Sequence, residues 1–150
     1  MSDSTFQTSI YGRAGGSALT VDSGGTVQVL SGGRITVVED TLKPGFHLAR
    51  HYHKRMTEVF YILEGEVVIK FDREMITATP GTTVNVPPHV VHEITCSKGA
   101  KLITVFSPGG FDRYLDELAS LSGNQFADSA FMQSLAEKYD TWMADTPSGT

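Results

Sequence analysis

Glycine-containing turn signals break the first 110 residues at short intervals: "GG" at 15–16, 24–25 and 32–33, "KPG" at 43–45, "EG" at 64–65, "PG" at 80–81 and "PGG" at 108–110. Between them lie the runs "TVQVL", "RITVVEDTL", "EVFYILE", "EVVIKF", "TTVNV", "VHEITC" and "KLITVF". Each is short and rich in β-branched or aromatic residues, which suit a pleated, half-buried surface. Many short strands with no helical pattern between them specify an antiparallel sandwich or barrel, and they exclude alternating βαβ units. Glu64-Gly65, flanked by two such runs, reads as the turn of a β-hairpin.

After Gly110 the period changes. Phe111, Tyr114, Leu115, Leu118 and Leu121 recur at helical spacing. Phe131, Met132, Leu135, Ala136, Tyr139 and Met143 do so again beyond a polar break, "SGNQ". Two amphipathic C-terminal helices packed on a β-domain follow. The expected organisation is an N-terminal arm over residues 1–16, a β-barrel over 17–110, a helical extension over 111–144 and a tail over 145–150.

A net charge of −5, with no basic cluster larger than "HKR", argues against a nucleic-acid or anionic-membrane surface. No run approaches the roughly 20 apolar residues of a membrane span. The polar start has no apolar signal region, and the single cysteine, Cys96, excludes an intramolecular disulfide. A cytoplasmic protein is the expectation.

One stretch breaks the pattern of apolar strands. "GFHLARHYHKRMTEVFYILEG", residues 45–65, carries three of the five histidines and a glutamate in an otherwise apolar run that reads as a buried β-hairpin. Residues two apart on a strand share a face, so His51 and His53 project together with Tyr52 opposite. Glu58, beyond the turn "KRMT", shares a face with Phe60 and Ile62 on a strand placed to run back alongside. His92 shares one with Ile94 and Cys96. Burying three imidazoles and a carboxylate is costly unless something binds them. Converging, they form a ligand set for one divalent transition metal ion: Mn, Fe, Co, Ni or Zn.

The spacing G-x5-H-x-H-x4-E-x6-G is met in full by Gly45, His51, His53, Glu58 and Gly65. Together with Gly81, Pro87 and His92, at the spacings of a second motif G-x5-P-x-G-x2-H-x3-N, it resembles the cupin superfamily across residues 30–110. His89 stands where that second motif has its second glycine, and Cys96 where it has asparagine. The resemblance implies an antiparallel double-stranded β-helix (a jelly-roll barrel), with His51, His53, Glu58 and His92 as metal ligands. The "PGGF" turn leading into a helix is similar to the C-terminal part of small bacterial quercetin-dioxygenase-like cupins.

Glu58 has two roles open to it, as metal ligand and as acid or base. His47 shares parity with His51 and His53 if the strand is regular from Gly45, which makes it a candidate proton carrier at the pocket mouth; the alternative is an exposed strand-end residue. Phe60, Ile62, Val86, Ile94, Cys96 and Phe106 are candidate pocket walls, while His89 is expected to be exposed in its turn. Tyr52, Val59 and Tyr61 face outward, an apolar row that gives a motive for a homodimer. An apolar pocket without a basic cluster suits a small aromatic or enolisable substrate better than a sugar phosphate. The resemblance implies a quercetinase-like dioxygenase using O2. The alternatives are a zinc-dependent aromatic polyketide cyclase closing a ring by aldol-type chemistry, and a non-catalytic small-molecule-binding cupin.

Overall fold

The computed structural model describes residues 18–21 and 25–145. The expected N-terminal arm and nearly all of the tail lie outside them. In chain order the strands are β1 (Ala18–Val21), β2 (Gly25–Ser31), β3 (Thr36–Leu42), β4 (Phe46–Tyr52), β5 (Thr57–Gly65) and β6 (Val67–Lys70). There follow β7 (Met75–Ala78), β8 (Thr83–Val86), β9 (His92–Cys96) and β10 (Ala100–Ser107). Helices α1 (Phe111–Ser120), α2 (Gly123–Ala127) and α3 (Ser129–Lys138) lead to a last short strand, β11 (Trp142–Met143).

Two antiparallel sheets face each other, ordered β1-β2-β3-β10-β5-β8 and β11-β4-β9-β6-β7. From β3 to β6 the chain changes sheet with every strand. Neither expected hairpin around the histidine-rich stretch therefore exists. β4 pairs with β9 and β11, whereas β5 pairs with β10 and β8, so "KRMT" is a crossing between sheets. The same holds at Glu64-Gly65, since β6 pairs with β7 and β9. Gly65 is required there for a different reason: it has φ +72°, and a Cβ would run into the Gly99 carbonyl oxygen. It allows a corner closely approached by another loop.

Inward-facing residues of both sheets form the core, with Ile62, Ile69, Val67 and Val86 almost fully enclosed. A second cluster joins Val29, Val38, Met56 and Phe106 to Leu115 of α1. Thr36, buried on β3, ties that helix down. Its hydroxyl donates to Asp112 Oδ1 at 2.8 Å and accepts from the Gly110 amide at 3.2 Å.

The helical extension differs from the sequence pattern in two ways. The polar break "SGNQ" is itself the capped start of the short α2, with Ser122 and Gln125 bonding each other's backbone amides. The second expected helix stops at Lys138, with Tyr139 as its cap, and Met143 lies on β11, paired with His51 of β4. Asp140, at φ +57°, ends the helical run. No helix among the described residues is long and apolar enough to cross a membrane.

Candidate metal centre

His51, His53, Glu58 and His92 are all buried, between 0% and 4% exposed, and one ligand atom from each lies within 4.8 Å of the others. They come from both sheets: His51 from the end of β4, His53 just beyond it, His92 from the start of β9, and Glu58 from β5 opposite. Their convergence is a product of the two sheets facing each other.

Each imidazole is oriented through its Nδ1. That of His51 donates to the Ala49 carbonyl at 2.8 Å, that of His92 to the Val90 carbonyl at 2.9 Å, and that of His53 to the Asp140 carbonyl at 2.8 Å. A proton fixed on Nδ1 leaves the Nε2 lone pair as the ligating atom. Glu58 Oε2 lies 2.9 Å from His53 Nε2 and 3.2 Å from His92 Nε2. Two unprotonated nitrogens and a carboxylate at such distances need a positive charge among them, a proton or a metal ion. Burial works to raise the Glu58 carboxyl, but its contacts with His53 and His92 hold it well below the usual range. Burial works to lower His53, and the Glu58 contact overcomes it, raising the imidazole. His51 falls to about 4, through burial and the nearby His92, and is neutral at pH 7. With the proton on His53 displaced, three imidazoles, one anionic oxygen and tied outer nitrogens suit a divalent transition metal.

The cluster lies on the wall of an apolar cavity of about 270 Å³. Of the expected wall residues, Phe60, Ile94 and Phe106 line it. Ile62, Val86 and Cys96 do not: at 0%, 1% and 2% exposed they are spent in core packing, with the Cys96 thiol against the Glu66 carbonyl. Phe111 and Tyr114 of α1 complete the wall, Phe111 stacking on Phe106 with centroids 4.1 Å apart. Leu48, Ala49 and Met143 line it yet stay exposed, which marks its opening.

His47 is not at that opening. The β4–β9 register runs from Leu48↔Ile94 to His51↔His92, three residues against two, and this β-bulge reverses the parity between His47 and His51. The His47 ring turns outward, half exposed, to Glu93 at 3.3 Å. His89 is exposed, as expected, and adopts φ +69°, keeping the left-handed turn that the motif assigns to glycine.

Asp140 has a role that its place beyond a helix did not reveal. Its carboxylate accepts the backbone N–H groups of Lys54, Arg55 and Met56 at 2.8–2.9 Å, and that of the Trp142 indole at 3.2 Å. One residue thus fixes both the His53 ring and the loop joining His53 to Glu58. Burial opposes ionisation of Asp140, and these hydrogen bonds outweigh it, holding its carboxyl below the usual range.

The family model described as "Cupin domain" matches residues 38–106, the span that holds all four candidate ligands. The chain belongs to the cupin superfamily. Quercetin 2,3-dioxygenase of Bacillus subtilis is 33% identical over 87 residues, which span 57% of this cupin but only 26% of the relative. Among solved structures, an RmlC-like cupin from Shewanella frigidimarina aligns at TM-score 0.64 with 28% identity, covering 71% of this chain and 96% of its own. KdgF from Halomonas sp. aligns at TM-score 0.64 with 20% identity, covering 70% and 99%, a likeness of fold.

Proposed function

We propose that this cupin is a metal-dependent dioxygenase of quercetinase type, acting with O2 on a small aromatic substrate that carries an enolisable hydroxyl. The observation that carries the reading is the buried His51–His53–Glu58–His92 cluster, its outer nitrogens tied to carbonyls, on the wall of an apolar cavity. The partial match to a protein named quercetin 2,3-dioxygenase supports it. A divalent Fe, Mn, Co or Ni ion held by the four side chains would supply Lewis acidity toward a substrate oxygen and redox capacity toward O2. Glu58, ionised and on the cavity wall with its Oε2 2.9 Å from His53 Nε2, is the acceptor for the proton released from the substrate hydroxyl. Phe60, Ile94 and Phe106 hold the ring system and exclude water. His47, turned away, has no part in the proton transfer.

The test combines elemental analysis with oxygen uptake, on wild type and on the His51→Ala/His53→Ala variant, both purified without an affinity tag. About one equivalent of metal per wild-type chain, none in the variant, and flavonol-dependent oxygen uptake by the wild type alone are expected. Lack of uptake with Fe-, Mn-, Co- and Ni-reconstituted protein across flavonols and related enediols rejects the dioxygenase. Anaerobic ring closure by the zinc protein would replace it with the cyclase.

A further inference from the structure

Inward-facing residues of β3 alternate as Thr36, Val38, Asp40 and Leu42. Three of these are buried core positions. The remaining one, Asp40, is the acidic side chain on the cavity wall that does not belong to the ligand cluster. It sits two strands from Glu58 across β10, and four residues along β3 from Thr36, which is level with Phe106 and through it with Glu58. The two carboxyls therefore occupy different levels of one cavity. Among the described residues, the hydrogen bond at the Asp40 carboxyl is one donated by Thr104, from Oγ1 to Oδ2 at 2.7 Å. No lysine, arginine or histidine forms an ion pair with it there, and Oδ1 keeps its accepting capacity on a side chain that lines the cavity.

A carboxyl set among Val38, Leu42, Leu102 and Phe46 without a cation is costly to the fold, and an apolar residue of similar size would pack there better. Such groups concentrate where a ligand uses them. On the reading that this cavity is the substrate pocket, we propose that Asp40 is its second polar anchor. It accepts a hydrogen bond from a ring hydroxyl of an aromatic substrate whose other oxygen lies at the His51–His53–Glu58–His92 end. Burial lifts the Asp40 carboxyl to about 7, with the Glu58 and Glu39 charges adding and the Thr104 hydrogen bond opposing. A group so poised serves as acceptor or donor near neutral pH. The walls between the two polar ends are aliphatic and aromatic, which suits a flat polyphenol better than a sugar.

The experiment is titration calorimetry of the full-length zinc-loaded protein with two probes. Quercetin carries several ring hydroxyls, and 3-hydroxyflavone keeps only the one beside its carbonyl. Wild type is expected to prefer quercetin about tenfold or more, the scale of a hydrogen bond to a charged group. Asp40→Leu is expected to abolish that preference while leaving 3-hydroxyflavone binding and metal content unchanged, and the isosteric Asp40→Asn to keep part of it. An unchanged preference in Asp40→Leu overturns the assignment. So does loss of metal from either variant, or failure of both probes to bind wild type. The dioxygenase reading fails separately, through absent oxygen uptake, and leaves the binding preference intact.

Discussion

Asp40 makes the fold's stability depend on pH in a direction opposite to that of most carboxylates. Its folded-state value of about 7 lies above the unfolded value near 4, so the folded chain holds this proton more tightly. The penalty for ionising it is absent below about pH 4, develops as pH rises, and is complete above the folded value. Asp40→Asn is therefore expected to raise Tm by several degrees or more at pH 8 and to leave it nearly unchanged at pH 4. Thermal melts at the two pH values check this, and equal shifts would reject it. The residue was within reach of the sequence. "TVVEDTL" reads as a strand, and Asp40 shares parity with Val38 and Leu42, but parity alone does not say which face looks inward. His47 shows the opposite failure: its parity with His51 was sound for a regular strand and was reversed by a bulge that no residue type announces.

Among the elements, the C-terminal segment from Tyr139 to Met143 braces the candidate metal centre. β11 pairs with β4 beside His51, and the Ala144 amide bonds the Arg50 carbonyl at 3.0 Å. Asp140 clamps the turn between His53 and Glu58. Asp140→Ala strips the acceptor from three backbone donors and is expected to destabilise the protein by roughly 2–4 kcal/mol at pH 7. Because the Asp140 carboxyl is held low, its stabilisation is present above about pH 4 and is lost as pH falls through the folded value, so the gap to wild type narrows in acid. Metal affinity should fall about 10–100-fold in the same variant, read by competition with a chromophoric chelator. Unchanged affinity would mean that the His53 ring holds its orientation without the clamp. In the sequence the four candidate ligands were legible because both motifs place them by short spacings within or beside single strands. The clamp was not, since it joins residues 86 apart through contacts with backbone groups that carry no residue-type signal. Most strands were likewise legible, β1, β7 and β11 being missed, but strand partnership was not: a glycine that turns a corner between sheets looks, in one dimension, like a glycine that turns a hairpin.

For the molecule as a whole, an ion held by these four side chains would tie both sheets together and bind only the folded chain. Removal with a chelator is expected to lower Tm by about 5–10 °C when the metal had been present at about 100 times its Kd. The His51→Ala/His53→Ala variant should melt at the same temperature with or without chelator, and a shift there would place the stabilising ion elsewhere. The alternation of strands between sheets also bears on the order of assembly. β10 joins β3, through Val38↔Thr104, and β5, through Glu58↔Phe106, across long stretches of chain, and only after such pairings close do the four ligands meet. Distant pairings of this kind make for a slow search, and an ion has nothing preformed to grip while the search proceeds. Bound metal should accordingly leave the refolding rate nearly untouched and slow unfolding instead, so that a filled centre lengthens the lifetime of the native chain without hastening its birth.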